Sequence, residues 1–220
     1  MIKALIFDMD GTVLNTIEDI KIAVNVALKQ KGLEEKHVDD IKKAVGHGAL
    51  RLIKNVCPSN FSDQEINDVF DIYQAYYQKH SSVFTAPYKG IIDLLKILKQ
   101  KGYKLAVVSN KFESLVSGLN ESYFENLFDI TIGEVNGIPI KPAPDMLLKA
   151  LKLLEVDRKE ALFIGDSDVD MDTAYNAHMI SVGVTWGFRD EVLLKKHHAH
   201  YIIHQPLELL DVINKENKHL

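Results

Sequence analysis

Cysteine occurs once in the 220-residue chain, at Cys57, so an intrachain disulfide is excluded and a reducing, cytoplasmic setting is expected. No stretch has the roughly 18 consecutive apolar residues that a membrane-crossing helix needs. The N-terminus lacks a basic leader, a long enough apolar segment and a small-residue cleavage site, so a soluble, unexported protein is expected. Positive charge is not in surplus either. With 26 basic and 31 acidic residues the formal net charge is −5, which argues against a general nucleic-acid or membrane-surface binder, since those need basic patches. Arginine is scarce, with three in the whole chain. Internal repeats and collagen-like, mucin-like or prion-like tracts are absent. Core-forming residues are plentiful: a 46% hydrophobic content suits one ordinary domain carrying an insertion, or two small domains.

The most informative stretch runs from Lys3 to Val13. Ala4 to Phe7 is continuously apolar, as a parallel strand covered on both faces would be, and it delivers Asp8 and Asp10 at its end. Ligands of open α/β sheets bind outside the carboxyl ends of the strands. In extended chain, side chains two apart share a face, so both carboxylates can address one small volume, where like charges need a cation or a shared proton. Asp8 as a metal-bound nucleophile and Asp10 as a proton carrier fit this. A calcium loop counted from Asp8 fails, because Thr12, Val13 and Asp19 stand where it needs an acid or amide, Gly and Glu. A plain surface turn is the remaining alternative.

Three more apolar runs end in polar groups. Lys104 to Val108 leads into Ser109-Asn110-Lys111, Phe128 to Ile132 precedes Lys141-Pro142, and Ala161 to Ile164 ends in Gly165-Asp166-Ser167-Asp168-Val169-Asp170. A hydroxyl, an ammonium and further carboxylates are what a phosphoryl group and Mg²⁺ require. Singly each is weak. Ser109 could cap a helix starting near Lys111, and a lone Lys is normally solvated. Asp166-x-Asp168-x-Asp170 is no calcium loop, with Met171 and Ala177 in the Gly and Glu places; Mg²⁺, which keeps its waters and takes few carboxylates, suits it better.

Together, Asp8-Met-Asp10-Gly11-Thr12, Ser109, Lys141 and Gly165-Asp166-Ser167-x-x-Asp170 resemble the four motifs of the haloacid dehalogenase superfamily, over the whole chain. Val45-Gly46-His47-Gly48-Ala49, Pro87-Tyr88-x-Gly90 and Thr185-Trp186-Gly187 are similar to its phosphoglycolate phosphatase-like branch. The resemblance implies an α/β fold, a doubly wound parallel-sheet core of Rossmann type with an inserted all-helical cap. It implies that Asp8 attacks phosphorus, that Asp10 protonates the leaving oxygen and then activates water, and that Ser109 and Lys141 hold phosphoryl oxygens. Mg²⁺ would be held by Asp8, the backbone carbonyl of Asp10 and Asp166, with Asp170 helping. Thr12, within the first motif, and Asn110, next to Ser109, join the substrate-binding set. One departure is Ala177-His178-Met179, where relatives usually have Ala-Gly-Met: His178 takes a helix-end place that favours positive φ.

Between Asn15 and about Phe84 the strand–helix alternation lapses, and Ile17, Ile20, Val24, Ala27 and Leu28, then Ile66, Val69, Phe70, Tyr73 and Tyr77, recur at helical spacing. A helical cap at 15–84 over a core of 1–14 and 85–220 is expected. Such a lid excludes water and supplies specificity. Gly46-His47-Gly48 permits close backbone approach, so His47 and, on the next helix, Arg51 are candidate substrate ligands, Arg suiting carboxylate or phosphate. His197, His198, His200 and His204 are expected to be solvated or packing residues, since zinc needs three or four convergent ligands. Leu207 to Ile213 reads as a closing helix.

The expected activity is Mg²⁺-dependent hydrolysis of a small phosphorylated metabolite through an aspartyl-phosphate, phosphoglycolate-type substrates first. Pyrophosphatase, nucleotidase, sugar-phosphate phosphatase and β-phosphoglucomutase-like phosphomutase are rivals, and a non-enzymatic phospho-receiver module is the remote alternative. A monomer or homodimer is expected.

Overall fold

The computed structural model describes residues 1–218. Its centre is β1 (Ala4–Phe7), every residue of which is buried. β1 pairs in parallel with β4 (Lys104–Phe112) on one side and β6 (Ala161–Gly165) on the other. With β5 (Ile130–Glu134), β7 (Ile180–Val184) and β8 (Tyr201–Ile203) the order is β5-β4-β1-β6-β7-β8, all parallel.

The unbroken apolar runs follow from burial on both faces. Leu5 and Phe7 point to the layer of α5 (Ile91–Gln100), α6 (Glu113–Phe124) and α10 (Leu209–Lys218). Ala4 and Ile6 point the other way, to α7 (Asp145–Leu154) and α8 (Asp168–Asn176). This is the two-residue alternation of a strand serving two cores. The strand order reverses direction about β1 and β6, which makes the crevice at their carboxyl ends the topological switch point where such sheets bind ligands.

Between β2 (Leu14–Asn15) and β3 (Ala86–Pro87), which pair antiparallel, the chain makes the cap: α1 (Ile17–Gln30), α2 (Val38–Ala44), α3 (Ala49–Val56) and α4 (Asp63–His80). The cap has its own apolar centre, in which Ile20, Val24, Leu28, Ile41, Ile53, Val69 and Tyr77 are buried. Ser62 and Glu65 close a reciprocal capping box that starts α4. The returning chain is held by buried Asp19 on α1, whose carboxylate accepts from the Phe84 and Thr85 N–H groups and the Thr85 hydroxyl at 2.8–3.0 Å.

Several boundaries differ from those expected. The strand ending in the sequence pattern at Val108 continues to Phe112 through an irregularity in register, and α6 begins at Glu113, so Ser109 is a strand residue and not a helix cap. The closing helix starts as a 3₁₀ turn at Pro206–Glu208 and runs to Lys218. His178 has the positive φ expected of it, 54°. No helix among the described residues is long and apolar enough to cross a membrane.

Candidate active site

Asp8 is the first residue beyond β1, its N–H bound to the Ile164 carbonyl of β6 at 2.8 Å. The chain then turns sharply, with the N–H groups of Val13 and Leu14 both directed to Met9 O. Gly11 has φ +88°, and a Cβ there would lie 2.3 Å from Asp166 Oδ2, so glycine is needed both for the turn and for the approach of the two acidic loops.

Asp166 follows β6 and is nearly inaccessible. Thr12 donates its hydroxyl to Oδ1 at 3.0 Å, and the Phe188 N–H binds Oδ2 at 2.7 Å. Ser167 caps α8 in a reciprocal box with Asp170: the Ser167 N–H and hydroxyl reach Asp170 Oδ2 at 3.1 and 2.6 Å. Asp170 Oδ1 takes Lys141 Nζ at 2.6 Å, and the same ammonium lies 2.7 Å from Asp8 Oδ1. The Lys141 ammonium is thus shared between two buried carboxylates, Asp170 and Asp8.

Ligand-competent oxygens of Asp8, Asp166 and Asp170 all lie within 4.8 Å of one another. Three carboxylates against one ammonium leave a formal charge of −2 in a buried volume. Burial, then the charge of Asp170, pushes the Asp8 carboxyl up to about 7 against the opposing pull of Lys141. Asp166 is pushed well above the usual carboxylate range by burial first, then by Asp170 and Asp8. For Lys141 burial favours the neutral amine, but Asp170 and Asp8 together outweigh it and hold the ammonium above its ordinary range. An oxygen-rich, net-negative cluster of three carboxylates fits a hard divalent cation.

Asp10 sits beside this cluster. Its two oxygens are 2.9 and 3.0 Å from Lys111 Nζ, which also donates to Tyr77 Oη of α4 at 2.7 Å. Asp8, Asp10, Ser109, Asn110, Lys111, Lys141 and Asp166 line a single cavity whose roof is cap residues: Ile20, Val45, Gly46, Gly48, Ala49, Leu52, Tyr73 and Tyr77.

The cavity thus brings together Asp8, Asp10, Ser109, Asn110, Lys141 and Asp166. Thr12 and Asp170 lie behind it, supporting Asp166 and Lys141. Asn110 faces the cavity with its amide committed: Nδ2 donates to Gly46 O of the cap at 2.9 Å and to Lys141 O at 2.8 Å, while Oδ1 accepts from the Lys141 N–H at 2.8 Å. His47 and Arg51 do not line the cavity. Both are exposed, because Gly46 and Gly48 on either side of His47, and Ala49 and Leu52 on α3, are the positions turned inward. Arg51→Ala is therefore expected to change kcat and KM by less than about twofold, as surface substitutions do; a selective rise in KM for carboxylate-bearing substrates, measured by steady-state kinetics, would return Arg51 to the site.

Two cations were not singled out from the sequence. Lys111 lies next to the expected motif residues, and its inward course depends on the extension of β4 to Phe112. Arg189 spans core and cap, with Nε on Asp168 Oδ1 at 3.1 Å and the guanidinium on the carbonyls of Lys42, Lys43 and Val45 at the end of α2. Carbonyls at a helix C-terminus attract a cation. The scarcity of arginine and the nearness of Arg189 to Thr185-Trp186-Gly187 were the available signals. Asp168 is spent on this contact, away from the acidic cluster. The C-terminal histidines disperse: His197 faces Asp172, His200 Ser181, and His204 Thr185, while His198 stacks on Tyr175.

Fold and site together define a capped, doubly wound α/β protein with an acidic centre at the switch point of its sheet. The chain belongs to the haloacid dehalogenase-like hydrolase family, whose model matches residues 5–184. It is 30% identical to a phosphoglycolate phosphatase of Aquifex aeolicus over 96% of this chain and 97% of that one. With the pyrophosphatase PpaX of Listeria welshimeri it shares 27% identity over 98% of each chain. A solved structure from Lactobacillus delbrueckii subsp. bulgaricus, provisionally assigned as a phosphoglycolate phosphatase, superposes with a TM-score of 0.91 at 39% identity, covering 96% of this chain and 98% of the other.

Proposed function

We propose that the protein is a Mg²⁺-dependent phosphatase that hydrolyses a small phosphate monoester, phosphoglycolate-type substrates first, through a phosphoryl group carried on Asp8. The observation that carries this reading is the placement of Asp8 and Asp10 in one cavity with Ser109 and Lys141. The names of the relatives support the substrate class, and those of the PpaX proteins support inorganic pyrophosphate as the second substrate to test.

In the first half-reaction Asp8 attacks phosphorus as the bond to the leaving oxygen breaks, and Asp10 delivers its proton to that oxygen. Ser109 Oγ and strand-end N–H groups bind the phosphoryl oxygens, and Lys141 offsets their charge. In the second, Asp10 takes a proton from water as that water attacks phosphorus, freeing Asp8 and inorganic phosphate. Mg²⁺, held by Asp8, the Asp10 carbonyl and Asp166 with Asp170 behind them, would supply the positive charge that lets a carboxylate approach a phosphate dianion. The cap, read as 15–84 on a core of 1–14 and 85–220, covers the cavity; the pairing of β2 with β3 supports these limits.

A screen of small phosphorylated metabolites with Mg²⁺, read as released phosphate, tests this. Release over many turnovers excludes a phospho-receiver, and retention of the group on a second hydroxyl of the same molecule would mean a mutase. Asp10→Asn should lower kcat about 10²–10⁴-fold. Samples of that variant quenched during turnover of an activated aryl phosphate should carry phosphate on Asp8; recovery of the label on Ser109 or a histidine would refute the assignment.

A further inference from the structure

We infer that Lys111 is a positioning residue that makes the aim of Asp10 depend on the seating of the cap. Its side chain is 3% exposed. An ammonium has three donors, and this one has three partners: both oxygens of Asp10, on the loop after β1, and Tyr77 Oη, on α4 of the cap. The same Nζ lies 4.7 Å from the Tyr77 ring centroid. Tyr77 is itself fixed, buried and stacked on Tyr73 with centroids 5.4 Å apart. One buried cation therefore joins a core strand, a cap helix and the carboxylate assigned to proton transfer.

Gripping both oxygens stops the carboxylate from turning about its last torsion, and a proton can be delivered only if one oxygen is held toward the leaving group. Tyr77 closes the third direction around the ammonium. With α4 lifted, Lys111 loses that partner and meets water, and Asp10 loses a fixed counter-ion. Asn110, the preceding residue, has a parallel position: it ties Gly46 O of the cap to the backbone of Lys141. Neighbouring residues of β4 thus reach from the cap to two different groups of the site. Proton transfer becomes possible in the closed arrangement and is weakened in the open one, which protects against spending Asp10 before a substrate is enclosed.

This inference rests on the reading of Asp10 as acid and base, and the test separates the two. The full chain with Mg²⁺ is assayed on an alkyl phosphate, whose leaving oxygen needs a proton, and on p-nitrophenyl phosphate, whose leaving group does not. The comparison uses kcat/KM, which includes only steps up to departure of the leaving group. Lys111→Met should lower kcat/KM about 10–100-fold on the alkyl ester, within the range of general acid catalysis, and at least about tenfold less on the aryl ester. Tyr77→Phe should show a smaller loss with the same preference. Thermal melting checks that both variants fold, and if Lys111→Met does not, Tyr77→Phe decides alone. Equal losses on the two esters, or no loss, overturn the role of Lys111 and leave the phosphatase standing. Failure of the wild-type protein to hydrolyse either ester overturns both.

Discussion

Asp8→Asn is expected to remove turnover of phosphate esters by about 10³-fold or more, since an amide is a poor nucleophile and no other group in the cavity stands where Asp8 does. Steady-state phosphate release measures it, and a variant that keeps a tenth of wild-type kcat would sink the mechanism. Loss of activity should come without loss of fold. Burial and Asp170 raise the Asp8 carboxyl to about 7, above its unfolded value, so its ionised form disfavours the native state increasingly as pH rises from about 4 to about 7. The neutral amide removes that penalty. Metal-free Asp8→Asn should therefore melt at or above the temperature of the metal-free wild type at pH 8, and a marked drop would mean that the side chain is mainly structural.

The fold and the acid centre were legible because few residues encode them locally. A strand buried on both faces must be apolar throughout, so Ala4–Phe7 and Ala161–Ile164 announced themselves, and the acids at their ends fell at the switch point of the sheet. The cap was legible as helices, since its buried positions recur at helical spacing. Which cap residues face the cavity was not. Arg51 and Leu52 are neighbours in sequence, and only the orientation of α3 on α4 decides that Leu52 enters the cavity while Arg51 points to solvent. Thr12, Asn110 and Asp170 were placed in the site by motif, but their partners depend on loops far apart in sequence: Thr12 meets Asp166, Asn110 meets Gly46 and Lys141, and Asp170 meets Lys141. Lys111 and Arg189 were missed for the same reason. Lys111 requires β4 to run beyond the apolar segment, and Arg189 requires the end of α2 to lie against the loop after β7.

The second large effect concerns the cation. Three buried carboxylates facing one Lys141 ammonium leave a charge of −2, matched by one divalent ion. Mg²⁺ that binds only the native state stabilises it by RT ln(1 + [L]/Kd), about 2.7 kcal/mol at a hundredfold excess over Kd. For a chain of this size that is a rise in Tm of about 5–11 °C. The rise should be larger at pH 8 than at pH 5.5, because the Asp8 carboxyl, raised to about 7, holds its proton at the lower pH and that proton competes with the metal. Asp166→Asn should abolish most of the rise while leaving the metal-free protein at least as stable at pH 8, since burial, Asp170 and Asp8 disfavour the ionised form of Asp166. Differential scanning calorimetry with Mg²⁺ and with EDTA at both pH values measures all four quantities. An Mg²⁺ shift that survives Asp166→Asn undiminished would place the ion outside the Asp8–Asp166–Asp170 cluster, and a shift as large at pH 5.5 as at pH 8 would mean that no proton on Asp8 competes with the ion there.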